Sequence, residues 1–368
     1  MALILKNLVR QRMRTALTVL GISVGITTVV ALGVVLSGVR QTASAVLRAY
    51  DSDFIVAQKG SSDLTFSIVT EDEVEALRRR DDVADAVGAL FHVSRVGGNP
   101  FFVMIGVEAE DIVDQGPQIT EGRRIQPGAD DEAMIGSRAA STLDLDVGGT
   151  LETEERDFTV VGIYKADNIW EDNGAYAALD VVQEIAGKPN AVTAVYVKVA
   201  QGEDPDAVAD RIEDEHRGLT SISSVDEYSE VDQGIEIMDA MNLAISALAV
   251  GIGAIGVMNT MIMSVFERTR EIGILRAVGW RGSRIVRMIL GESLLLCGVA
   301  AVFGSALGVL ASRMVLLIPT VRSLLEPQYE AQVFVRALVV ALIVAIVGAV
   351  YPAVRAVRLT PMEALRHE

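Results

Sequence analysis

Residues 267–290 have the sequence ERTREIGILRAVGWRGSRIVRMIL and lie between two long apolar stretches. The segment carries six arginines and only two glutamates. Short arginine-rich loops between hydrophobic spans stay on the cytoplasmic side of a membrane. The segment therefore predicts an α-helical membrane protein with this loop in the cytoplasm.

The first half of this loop has the pattern of a short helix. Ile274, Leu275 and Val278 form an apolar stripe at helical spacing. Arg276 comes near the end of the stripe and Gly279 just after it, which is a typical helix stop.

Charged residues flank the stripe. Their three-residue spacing allows Glu267 to pair with Arg270, and Arg268 to pair with Glu271, on the helix surface. A short helix with an apolar stripe and an ionic rim can insert into a groove of a soluble partner. It can equally lie on anionic lipid at the membrane surface. Periodicity alone leaves both interpretations open.

Residues 255–280, IGVMNTMIMSVFERTREIGILRAVGW, resemble the coupling segment of the MacB/FtsX-type ABC transporter permeases. The start of the chain, NLVRQRMRTALTVLGISVGI (7–26), and its end, YPAVRAVRLTPMEAL (351–365), resemble the same family. Residues 119–161 resemble its extracytoplasmic core domain more loosely. The resemblance implies that residues 267–279 dock on a separate ATPase. The residues assigned to this coupling are Glu267, Arg268, Arg270, Glu271, Ile274, Leu275, Arg276, Val278 and Gly279.

The hydrophobic pattern predicts four transmembrane helices, because four apolar stretches are long enough to cross about 30 Å of hydrocarbon. These spans are residues 15–39, 240–266, 285–312 and 337–354. Apolar residues continue at helical spacing through two amphipathic stalks, residues 40–50 and 225–239. The remaining pieces are a cytoplasmic amphipathic N-terminus (1–14), the coupling loop (267–284), an outer loop (313–336) and a cytoplasmic tail (355–368), with the FtsX-like domain at about 240–362.

Small residues in the spans predict close helix packing. Gly21 and Gly25 in the first span, and Gly304 and Gly308 in the third, form GxxxG patterns. Asn259 in the second span matches an asparagine of the family motif. We expect it to form an interhelical hydrogen bond.

Residues 51–224 predict a mixed α/β extracytoplasmic domain, inserted between the first and second spans on the two stalks. Runs rich in β-branched and aromatic residues predict strands at 54–57, 101–107, 158–164 and 192–199. A capping box from Thr70 to Glu73 predicts one helix start. Asp204 before Pro205 predicts another.

The outer domain is strongly acidic. Residues 41–237 contain 15 Lys and Arg but 41 Asp and Glu, whereas the whole chain of 368 residues has a net charge of −17. The acids are spread evenly, which favours a surface adapted to high salt. Binding of cations or cationic peptides is the alternative.

The sequence contains no pattern typical of a catalytic or metal site. The three histidines are far apart, and the single cysteine, Cys297, excludes an intrachain disulfide. The phosphate-binding pattern GxxxxGK[ST] is absent, so we expect no cofactor on this chain and ATP on the partner subunit.

The sequence thus predicts a non-catalytic permease subunit in the cytoplasmic membrane, with both termini inside. Its expected partners are the ATPase, membrane lipid and a second permease, identical or related, but no nucleic acid. The expected work is export or extraction of a peptide, lipoprotein or lipophilic substrate. The alternative is an FtsX-like scaffold that controls an extracellular enzyme without moving substrate. A secondary transporter is disfavoured because the span centres carry no charge.

The predicted topology is testable by labelling intact cells with a membrane-impermeant thiol reagent. Cysteines introduced at Ser61 or Gly202 should react, because both positions are predicted to lie outside. A cysteine at Ser283 should not react, because the arginine-rich loop stays in the cytoplasm. The opposite labelling pattern would overturn the four-span topology.

Overall fold

The computed structural model describes residues 12–115, 117–166, 168–231, 233–318, 321 and 326–358. The predicted N-terminal segment up to residue 11 and the end of the predicted tail, from residue 359, lie outside these residues. The described chain forms two compact units. Of the described residues, those within 1–37, 239–315 and 327–368 form the first unit, and those within 38–238 and 316–326 form the second.

The elements are named in chain order. The helices are α1 (Arg12–Leu47), α2 (Glu71–Arg78), α3 (Ala109–Gln115), α4 (Ser137–Leu143), α5 (Ile169–Asp172), α6 (Leu179–Ala186), α7 (Pro205–Glu215), α8 (Val225–Val231), α9 (Gln233–Glu267), α10 (Thr269–Ala277), α11 (Gly282–Val315) and α12 (Ala331–Arg358). The strands are β1 (Phe54–Gln58), β2 (Val69–Thr70), β3 (Val83–Val96), β4 (Asn99–Val107), β5 (Gln118–Gly122), β6 (Glu132–Gly136), β7 (Thr150–Glu152), β8 (Asp157–Lys165), β9 (Ala175–Ala178), β10 (Ala191–Val192), β11 (Ala194–Val199) and β12 (Leu219–Ile222).

Helices α1, α9, α11 and α12 are long and apolar enough to cross a membrane. The prediction of four membrane-spanning helices is therefore confirmed. Which part of each helix lies within the bilayer stays a prediction. In the first unit these helices enclose one apolar core, with Ile26, Val257, Leu296 and Ala345 among its members.

Small residues bring these helices close together. A Cβ on Gly304 would lie 2.7 Å from the Cβ of Ile26, and one on Gly348 would lie 2.7 Å from that of Val257. Real Cβ atoms essentially never come so close, so α11 meets α1, and α12 meets α9, where only glycine fits.

Hydroxyl groups add polar contacts between the helices. Ser23 on α1 donates to the carbonyl oxygen of Ala300 at 3.1 Å, and Ser293 on α11 donates to that of Ala345 at 2.8 Å. The hydroxyls of Thr18 and Thr260 lie 2.6 Å apart. Each such group finds a protein partner, which a hydrocarbon solvent cannot supply.

The second unit is built on a ten-stranded mixed sheet. Nine strands follow the order β12-β1-β11-β3-β4-β9-β6-β8-β5, and β7 pairs with β8. The pairs β4–β9 and β6–β8 are parallel, and the others are antiparallel. The predicted mixed α/β domain between the first two spans is confirmed.

Both faces of this sheet are covered, because side chains alternate along each strand. In β1, Phe54 and Val56 join one apolar cluster, whereas Ile55 and Ala57 join the other. The first cluster includes side chains from α2, α4, α6 and α7, and the second includes side chains from the end of α1 and from α3.

The predicted helix starts at Thr70 and Asp204 agree with the structure. The Glu73 carboxylate accepts the backbone N–H of Thr70 at 2.8 Å, and the hydroxyl of Thr70 accepts the N–H of Glu73 at 3.3 Å. Helix α7 begins at Pro205 as predicted, although the Asp204 side chain makes no capping hydrogen bond.

The end of α1 and the turn after it join the second cluster of the sheet domain. Ala43, Val46 and Leu47, part of the stripe predicted for the first stalk, are buried. The hydroxyl of Tyr50 donates to that of Tyr176 at 3.1 Å. The Tyr50 ring also lies 4.8 Å from the Tyr196 ring, centre to centre.

The close packing at Gly304 is testable by substitution with alanine. Gly304→Ala should lower the free energy of unfolding of the full chain in detergent by about 1–3 kcal/mol, because the new methyl group overlaps Ile26. Its melting temperature should fall accordingly. Gly298→Ala on the same helix is the matched control, since a Cβ there meets nothing within 4 Å. Equal melting temperatures for the two variants would contradict the predicted packing.

Candidate coupling site

Helix α10 is a separate short helix set between two sharp breaks. Arg268 has φ −113° and ψ 17°, so the helical path of α9 stops there. After α10, Gly279 adopts φ +97°. The N–H of Gly279 donates to the carbonyl of Arg276, and the N–H of Trp280 to that of Leu275, each at 3.0 Å. This is a Schellman motif, and it confirms the predicted helix end.

One face of α10 is anchored in the core of the membrane unit. Ile272 is only 4% exposed and packs in the same cluster as Ile285 and Ile289 of α11. Thr269 is also buried, and its hydroxyl donates to the carbonyl of Phe266 at 2.9 Å. The inner face therefore holds α10 against α9 and α11.

Arg268 forms a two-point ion pair with Glu292 of α11. Its two terminal nitrogens donate to the two Glu292 carboxylate oxygens at 2.9 and 3.0 Å, and one of them also donates to Ser264 at 2.7 Å. Glu292 is only 4% exposed. The predicted pairing of Arg268 with Glu271 is therefore wrong, because the planar guanidinium matches a buried carboxylate in two places.

Two further contacts tie the coupling segment to other helices. Glu267 pairs with Arg14 of α1 at 3.0 Å, so its predicted pairing with Arg270 is also wrong. The guanidinium of Arg355 on α12 stacks over the Phe266 ring, 4.7 Å from its centre. Together with the Arg268–Glu292 pair, these contacts join the segment to α1, α11 and α12.

The opposite face of α10 is open. Ile274 is 47% and Val278 76% exposed, and Arg270 and Glu271 are also exposed. Leu275, the third member of the predicted stripe, is half-buried. Arg276 is half-buried as well, and among the described residues its Nε finds no hydrogen-bond partner. The outer face thus offers two large apolar side chains inside a ring of charges.

Some of the predicted helix-packing glycines lie in close helix contacts in the structure, and others do not. A Cβ on Gly25 would lie 3.0 Å from the Ala249 Cβ, and one on Gly308 would lie 2.7 Å from the Val30 Cβ. A Cβ on Gly21 would meet nothing within 4 Å, so the close contact predicted there is absent from the described chain.

Asn259 does not form the predicted interhelical hydrogen bond within the chain that the structure describes. Its side chain is exposed, because its position faces away from the core that Val257 and Met261 enter. It lines an open groove of about 500 Å³ between α1 and α9. Gly21, Ile252 and Gly256 line the same groove.

Two protein-family descriptions match this chain. The MacB-like periplasmic core domain matches residues 15–215, and the FtsX-like permease C-terminal domain matches residues 243–361. The chain belongs to the MacB/FtsX-type ABC transporter permeases. As a member of this family it is a multi-pass membrane protein with an outer α/β domain. An ABC transporter permease implies an ATPase partner.

Known relatives of this MacB/FtsX-type permease differ in length. It is 24% identical to an uncharacterized ABC transporter permease of Methanocaldococcus jannaschii, over 99% of this chain and 96% of that protein. It is 26% identical to the macrolide export ATP-binding/permease protein MacB of Escherichia coli, over 100% of this chain but only 60% of that protein. The solved periplasmic region of MacB from Actinobacillus actinomycetemcomitans matches with a TM-score of 0.37 and 10% identity, over 48% of this chain and 90% of that chain.

Sequence reasoning missed the contacts that three residues make at the coupling segment of this permease, namely Arg14, Ile272 and Glu292. Glu292 had a usable signal, because it is a lone acid directly before the uncharged centre of the third span. No sequence pattern indicated the contacts of Arg14 and Ile272, since their partners lie on other helices.

Proposed function

We propose that this chain is the membrane subunit of an ABC export system and that α10 is the element that docks on the ATPase. Both termini then lie in the cytoplasm, ATP binds only to the partner, and this chain needs no cofactor. The open apolar face of α10 supports the proposal most directly, because Ile274 and Val278 are exposed while Ile272 is anchored.

The charges around α10 indicate the chemistry of the docking partner. Arg270, Arg281, Arg284 and Arg287 are all exposed. The exposed acids of this segment are Glu271 and Glu267, and Glu267 is already paired with Arg14. A matching site would be an apolar groove with an acidic rim. Association should then weaken as salt rises, because rim charges are screened.

The proposed function of the complex is export or extraction of a peptide, lipoprotein or lipophilic molecule. In this proposal, closure of the ATPases moves α10, and the stalks carry the motion to the outer domain. Similar proteins are named for macrolide export and pyoverdine export, which supports a lipophilic or peptide-like substrate. Helix α1 supports the transmission step, because it runs without a break from Arg12 to Leu47.

Docking through α10 is testable by placing a charge on its open face. Ile274→Asp should fold normally, because the side chain is 47% exposed, but should lose the ATPase during purification of the full chain. A charge buried without a partner opposes association by at least about 2 kcal/mol.

The matched control for this experiment is Val93→Asp in the outer domain, where the side chain is 42% exposed. The control should retain the ATPase at the wild-type level. Undiminished recovery of the ATPase with Ile274→Asp would refute the assignment of α10 as the docking element.

We further propose that the groove between α1 and α9 receives a second copy of this chain. An exposed asparagine amide in hydrocarbon lacks hydrogen-bond partners, and an amide from a second copy supplies them. Gly21 and Gly256 support the proposal, because a Cβ at either position meets nothing within 4 Å and leaves room for an approaching helix.

This interface is testable by oxidative cross-linking of the full chain in membranes. Asn259→Cys should give a covalent dimer, whereas Val299→Cys, which is 43% exposed on α11, should not. Equal cross-linking at both positions, or none at 259, would contradict the proposed interface. Cross-linking only to a different permease would make the pair heterodimeric.

A further inference from the structure

The Arg268–Glu292 pair lies where the coupling helix begins. Arg268 is the non-helical residue between α9 and α10. Glu292 is the eleventh residue of α11, about 15 Å along that helix from its first residue. The side chain of Arg268 is 19% exposed and that of Glu292 only 5%. Any displacement of the start of α10 therefore acts directly on a buried contact with the third span.

Stability alone does not explain why this contact is ionic. Taking two charges out of water is costly, and well-packed apolar side chains at such places are often equally stable or more so. An ion pair with two parallel hydrogen bonds adds directional geometry that apolar packing lacks. The third hydrogen bond, from Arg268 to Ser264 at 2.7 Å, further limits the orientation of the guanidinium.

We infer that Arg268 and Glu292 are positioning residues that fix the position of the coupling helix along the third span. When the coupling helix is displaced, the pair passes that displacement to the third span. This inference rests on the proposed docking role of α10. Apolar contacts such as those of Ile272 hold α10 near α11 but permit sliding, because they have no preferred direction. A two-point pair resists sliding, so α10 and α11 move as one body.

The neighbouring Arg14–Glu267 pair serves as a matched control. It lies one residue away and has a similar contact distance of 3.0 Å, but its two side chains are 40% and 38% exposed. Exposed ion pairs contribute little, because water and salt screen them. If burial and two-point geometry matter, breaking the Arg14 pair should leave the position of α10 unchanged.

The first experiment measures the position of α10 in the full chain in lipid nanodiscs, without any partner. Spin labels at Val278→Cys, directly after α10, and at Val302→Cys on α11 report the separation of the two helices by pulsed electron paramagnetic resonance, and both positions are exposed. Glu292→Gln removes the charge but keeps the shape. The distance distribution should broaden in Glu292→Gln and stay narrow in Arg14→Gln.

A double variant separates positioning from stability. Arg268→Met with Glu292→Leu replaces the pair by apolar side chains, so it should melt near the wild-type temperature. Its distance distribution should nevertheless be as broad as that of Glu292→Gln. A narrow distribution in the double variant, or equal broadening in Arg14→Gln, would overturn the inference.

The second experiment uses the complex of the full chain isolated with its own ATPase subunit. The double variant should retain the ATPase, because Ile274 and Val278 are untouched. The ATP-dependent change in hydrogen exchange of the outer domain should fall roughly fivefold or more, as expected when a coupling between sites is lost. An unchanged response would overturn the inference. If no ATPase co-purifies with the wild-type chain, the docking proposal fails, whereas the distance measurement still tests the positioning role.

Discussion

Hydrocarbon offers no hydrogen-bond partners, and the membrane unit is arranged around that constraint. The hydroxyls of Ser23 and Ser293 reach carbonyl oxygens on neighbouring helices. The free-energy cost of removing a polar group from water is largest for Glu292, since it is a carboxylate with 4% exposure. The two-point contact with Arg268 satisfies both of its oxygens, and this requirement places the start of the coupling helix beside α11.

The same constraint explains why the coupling segment has two unlike faces. Side chains at the start of the segment contact the long helices. Arg268 pairs with Glu292 of α11, Glu267 pairs with Arg14 of α1, and the Phe266 ring lies under Arg355 of α12. The outer side of the segment keeps apolar side chains exposed, which supports docking on a soluble partner. A short helix held on one face and open on the other is suited to receive a force and deliver it to several spans.

In the outer domain, local sequence predicted some strands correctly and missed others. Strands β4 and β8 were predicted because their β-branched and aromatic residues are contiguous. The central strand β3 was missed, since Asp85 and Gly88 interrupt its pattern, and β9 has the weak sequence AYAA. Both are strands because hydrogen-bonded neighbours flank them on each side, which is a property of the assembled sheet.

The sequence by itself determined the four membrane-spanning helices and the end of the coupling helix at Gly279. Each depends on hydrophobicity or backbone preference within a contiguous stretch. Only the tertiary structure decided the partners of Arg268 and Glu267. Those partners lie 24 and 253 residues away in the chain, and the nearby acids and bases at helical spacing predicted different pairs. Helix packing brings Glu292 and Arg14 within reach, and a buried carboxylate competes better for a guanidinium than an exposed one does.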